Sequence, residues 1–156
     1  MTLPQTPALT DDAFVRSFAP ITTAFSGALV VTGLLGALVL VPEPTVTPVG
    51  LLVGAVLGLV AWFAPTLVIR SRLTSAVRRG EPPERAHATV RAVVMIGIAL
   101  AEAPALLGFA LAVTGGHDIG SFALSIPLAV ASLVLNVSGQ GAVRRHLDRL
   151  RSTVPY

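Results

Sequence analysis

The chain has 156 residues, of which 53% are apolar and 12% charged, and its mean hydropathy is +0.79. Lysine is absent, so all 11 basic residues are arginines, and 8 acids oppose them to leave +3. A soluble domain carries about 25% charged residues, so this arithmetic excludes disorder and argues against a water-soluble globule. The absence of cysteine removes disulfides, thiolate metal sites and cysteine nucleophiles.

Residues 1–10, with Pro4 and Pro7, read as loosely ordered, and Asp11 or Asp12 is placed to cap a short helix leading into the first apolar run. The first charges are acidic and the apolar run is long, so the N-terminus is not expected to be a cleaved signal peptide. Charge-free runs cover 17–42, 44–69 and 119–143, and the stretch 92–117 is interrupted only by Glu102. About 20 helical residues cross a bilayer core, which predicts spans at 20–41, 48–69, 92–114 and 119–141. Lipid offers no hydrogen bonds to a backbone, and no period-2 alternation supports a barrel. The expected fold is an all-α, single-domain integral membrane bundle of four transmembrane helices over 1–156.

Arginine placement predicts direction. Arg16 precedes span 1, six arginines fill the link 70–91, and Arg144, Arg145, Arg149 and Arg151 occupy the tail 142–156. The links 42–47 and 115–118 contain none. The positive-inside rule then places both termini and the Arg-rich link in the cytoplasm of a multi-pass protein of the plasma (inner) membrane. Arg70, Arg72, Arg78, Arg79, Arg144 and Arg145 are candidates for contact with lipid headgroups or a partner. Membrane lipids are the expected partners. A homo-oligomer and an unidentified membrane or cytoplasmic protein stay open, and nucleic acid is not expected. Gly50, Gly54 and Gly58 repeat every fourth residue on one face of span 2. This row suits close packing within one bundle or between copies.

Glu102 is the intramembrane acid. At 1.5 Å per residue it lies about 16 Å from Arg91 and about 20 Å from Gly115, near mid-membrane. A charge there costs roughly 2.5–3.5 kcal/mol, so a neutral, proton-binding carboxyl is expected. Depth counting selects Thr32, Ser132 and Asn136 as hydrogen-bond partners, and Pro104 withdraws a backbone donor from the same helix. Two functions follow. One is a proton-binding membrane protein; the alternative is a structural or accessory protein in which Glu102 only bridges helices. His87, His117 and His146 read as solvated, and Asp148 with Arg144 and Arg151 reads as a solvated amphipathic surface helix. No catalytic motif is present, so no enzyme, cofactor or metal is expected.

The stretch Met95-Ile-Gly-Ile-Ala-Leu-Ala-Glu-Ala103, following Arg79-Gly-Glu-Pro82, resembles subunit c, the proteolipid of rotary ATP synthases, over about residues 78–109. The resemblance implies a cytoplasmic loop at 79–82 and a proton-carrying carboxyl at Glu102. The glycines of span 2 recur every fourth residue where that family repeats every second, and Trp62 and Pro65 would crowd an inner ring. The resemblance is therefore to a distant proteolipid-like protein rather than to a rotor subunit.

Overall fold

The computed structural model describes residues 10–40, 43–115 and 118–152. The N-terminal residues 1–9, Val41 at the end of the first expected span, His117 and the last four residues of the tail lie outside the described residues. The described chain is helical, with one isolated bridge between Thr45 and Asp118. It contains four helices long and apolar enough to cross a membrane, as expected from the charge-free runs.

Helix α1 (Asp11–Arg16) is capped by Thr10, whose Oγ1 accepts from the Ala13 amide at 3.4 Å. Asp11 and Asp12 sit in its first turn instead of capping it, which leaves their carboxylates for other work. After a break at Ser17 and Phe18, α2 (Ala19–Leu35) starts with Pro20 in its first turn, where a missing amide costs nothing. A π turn over Gly36–Leu40 follows.

Helix α3 (Pro48–Arg78) opens on Thr47, whose Oγ1 accepts from the Gly50 amide at 3.0 Å. It does not stop at Ile69. Leu73 and Ala76 continue its buried stripe, so the first part of the arginine-rich link is helical. Gly80 ends the helix at φ 64°, with its amide on the Val77 carbonyl and the Glu81 amide reaching back to Ala76. This is a Schellman closure, which requires the left-handed backbone that glycine adopts without strain. A 3-10 turn over Pro83–Arg85 leads into α4 (Ala86–Thr114).

The fourth crossing is segmented. Pro127 has no amide for the Ala123 carbonyl, and the helix divides into α5 (Gly120–Ala123) and α6 (Ser125–Ser132). A π turn over Leu133–Val137 closes when the Ser138 amide bonds the Leu133 carbonyl at 2.9 Å. Gly139 then reverses the chain into α7 (Gln140–Arg151); a side chain there would collide with the Val134 carbonyl.

Packing follows the small residues. A Cβ on Gly54 would strike the Gly120 carbonyl, and one on Gly58 the Leu128 side chain. The glycine row of α3 is thus occupied by the fourth crossing of the same chain, so backbones approach where lipid gives no hydrophobic drive. Gly97 admits Ile69 and Val137, and Gly108 admits Ser121 and Ser125. Phe14, Phe18, Val90, Val94, Ile98, Leu133 and Val143 are buried in one core. Leu38, Val49, Leu52 and Leu67 are exposed on the outside, as apolar surface for a bilayer to cover.

Helices α1 and α7 meet at the end of the bundle that carries the link between α3 and α4. The Asp11 carboxylate binds the Arg151 guanidinium and lies 2.9 Å from His87 Nε2, while Asp12 accepts from Arg144 at 2.5 Å. The Phe14 ring stacks on His87 with centroids 4.3 Å apart, and the Arg91 guanidinium stands 5.8 Å from the Phe14 ring centroid. The tail helix is therefore a docked element. Arg144, Asp148 and Arg151 lie on its exposed face, as expected of an amphipathic helix, and Arg144 and Arg151 in addition pair with α1.

At the opposite end Asp118 ties two crossings together. Its carboxylate accepts from the Thr47 hydroxyl, from the Thr47 amide at 3.3 Å and from the Gly120 amide at 2.9 Å. These donors, the Thr47 hydroxyl first, hold the Asp118 carboxyl below the usual carboxylate range.

Candidate functional site

Glu102 lies within α4, in the apolar stretch between Arg91 and Thr114. Its helical neighbours define where it points. Ile98, Ala101 and Ala105 are buried, whereas Ala99, Ala103 and Leu106 are exposed. Glu102 falls on the seam between these two faces and is half-buried. Further along the same helix, Phe109 packs beside Gly36 of the first crossing and edge-on to Phe122, with centroids 5.9 Å apart.

No hydrogen bond or ion pair engages the Glu102 carboxyl among the described residues. Ser132 is fully buried in the core, with its hydroxyl unpartnered among the described residues. Asn136 and Thr32 are half-buried. The Asn136 main-chain carbonyl is taken by His146 Nε2 at 3.2 Å. None of the three side chains is hydrogen-bonded to Glu102. Height along the bundle selects all of them, but height does not fix direction around a helix. Ser132 turns into the core, and Glu102 turns to the seam.

Pro104 is buried two residues beyond Glu102. Having no amide, it leaves the Leu100 carbonyl without its helical donor. The carboxyl therefore lies close along the helix to a backbone acceptor that the helix itself does not satisfy.

The six candidate arginines separate. Arg144 binds Asp12, and Arg145 donates to the Leu135 carbonyl at 2.6 Å. Arg70, Arg72, Arg78 and Arg79 are exposed on and just after the last turns of α3. The Leu135 and Asn136 carbonyls belong to the π turn, whose widened pitch disturbs the regular ladder; Arg145 and His146 of α7 supply the donors.

His146 corrects an expectation. It is not solvated but 5% exposed, with Nδ1 unpartnered among the described residues. Burial lowers its pKa to about 4, assisted by the positive charges of Arg149 and Arg145. The sequence held a usable signal: Ala142, Val143, His146, Leu147 and Leu150 recur at helical spacing and form the buried face of α7. His87 bonds Asp11 rather than standing alone in solvent. Among the described residues no three metal-ligating side chains converge. Comparison with protein families, with curated proteins and with solved structures gives no match.

Proposed function

We propose that this chain is a small multi-pass protein of the plasma membrane, with its termini and arginine-rich link in the cytoplasm, in which Glu102 binds a proton. The observation that carries the reading is the half-buried Glu102 carboxyl, inside an apolar helix and without hydrogen bond or ion pair among the described residues. The alternative, a bridge between helices of one chain, requires a polar partner, and Thr32, Ser132 and Asn136 do not supply one. A carboxyl on the seam of the bundle can exchange a proton with water or with a group brought by another molecule. An ionisable group within a membrane span is a functional site by default.

Kinship with the proteolipid family is part of the proposal, carried by the context around Glu102. The glycine row of α3 packs against the fourth crossing of its own chain, which favours a distant relative over a ring-forming rotor subunit. The test is covalent labelling of the folded protein in mild detergent with dicyclohexylcarbodiimide, which reacts with protonated carboxyls in apolar surroundings. Peptide mass spectrometry should find the adduct on Glu102, falling as pH rises and absent in Glu102→Gln. Failure to label Glu102 at any pH, while the protein stays folded, would refute the proposal.

A further inference from the structure

At the arginine-rich end, charge and shape coincide in one cavity. It lies between α3 and α7 and is lined by Arg70, Leu73, Thr74, Val77, Arg78, Arg149 and Ser152. Among the described residues no carboxylate lines it. Arg70 and Arg78 make no hydrogen bond or ion pair among the described residues. The helical extension of α3 past Ile69 creates the arrangement. Residues 70, 74, 77 and 78 share one helix face, and the two arginines stand about 12 Å apart along the axis. Arg149 faces them from α7, across an apolar wall made by the buried Leu73 and half-buried Val77.

Depth supplies the remaining constraint. Arg70 is the first charge after the run 44–69, so it marks the edge of the hydrocarbon. Leu67, one turn inward, is 63% exposed. The cavity thus has a cationic rim at headgroup level and an apolar side that runs into the lipid-facing surface. Guanidinium groups bind phosphate oxygens through paired N–H donors, and the Thr74 and Ser152 hydroxyls add donors beside them. We propose that this cavity binds the phosphate of an anionic phospholipid from the adjacent leaflet. A free phosphate shares the chemistry but has no use for the apolar wall. This inference is independent of Glu102.

Native mass spectrometry of the full chain in mild detergent, titrated with phosphatidylglycerol or phosphatidylcholine, tests it. Phosphatidylglycerol should be retained in preference to phosphatidylcholine. Arg70→Gln/Arg78→Gln should weaken phosphatidylglycerol binding about 30-fold, the equivalent of about 1 kcal/mol for each arginine near a membrane surface. Arg72→Gln/Arg79→Gln removes the same charge outside the cavity and should change binding less than about threefold, because neither side chain lines the cavity and charges at a distance are screened. Equal losses in the two double variants, no loss in the first, or equal retention of both lipids would overturn the proposal. Displacement of phosphatidylglycerol by inorganic phosphate alone would overturn it in favour of a soluble anion.

Discussion

Acid should loosen the bundle through His146. The imidazole is 5% exposed, donates from Nε2 to the Asn136 carbonyl at 3.2 Å, and has no partner on Nδ1 among the described residues. A proton on Nδ1 would be buried without a counter-charge, with Arg145 and Arg149 on the same helix opposing it. The folded pKa of about 4 lies below the 6.5 of an exposed histidine. The unfolded chain therefore binds the extra proton first, and stability falls as pH drops from about 6.5 to about 4 and levels below that. The interval corresponds to about 3 kcal/mol at 1.36 kcal/mol per pKa unit, or on the order of 10 °C in melting temperature for a chain of this size. Melting of the detergent-solubilised protein between pH 4 and 7 reads the effect. His146→Gln keeps an N–H donor for the Asn136 carbonyl and removes the titration, so the difference between the two pH profiles isolates His146 from His87 and the carboxylates. Parallel profiles would refute the reasoning.

Three further outcomes follow from the packing and the ion pairs. Gly54→Ala should destabilise by about 1–3 kcal/mol, because the added methyl overpacks against the Gly120 carbonyl. Gly27→Ala should stabilise by up to about 1 kcal/mol, since nothing lies within 4 Å of its Cβ position and alanine is the better helix former; melting both variants in one detergent checks the contrast. Asp11→Asn should cost about 1 kcal/mol or less, as partly exposed ion pairs contribute little, yet hydrogen exchange in α7 should quicken because Arg151 and His87 lose their shared carboxylate.

The four crossings are legible because a run such as 44–69 excludes charge over a bilayer's thickness, and nothing but a helix satisfies its backbone there. The helical halves of the arginine-rich link are harder to see, since arginines point to solvent. Yet Leu73 and Ala76 before the turn, and Ala86, Val90 and Val94 after it, keep a helical apolar stripe beneath those charges. The docking of α7 on α1 is out of reach for a different reason. Asp11 and Arg151 are 140 residues apart, and no local pattern states that they meet. For Glu102, the sequence supplies the depth. Its direction depends on which α4 residues face Ile69, Val137 and Ser125, and this is decided by tertiary packing.

That direction leads to a stability prediction that separates the two readings of Glu102. A polar group buried without a hydrogen bond destabilises by about 1–3 kcal/mol on protein mutational scales. If the carboxyl bridged two helices, Glu102→Leu would break the bridge and strand its partner, lowering stability. No partner is bonded to it among the described residues, and the exposed neighbours Ala99, Ala103 and Leu106 already form an apolar surface. Leucine at 102 would extend that surface and remove the polar group. The isolated chain in detergent should therefore melt higher in Glu102→Leu than in the parent, by a few degrees for about 1 kcal/mol, with Glu102→Gln closer to the parent. Such a rise would show that the carboxyl has no stabilising role within the isolated chain. A clear fall in melting temperature for Glu102→Leu would instead establish an interhelical bond and refute the proton-binding reading at its base.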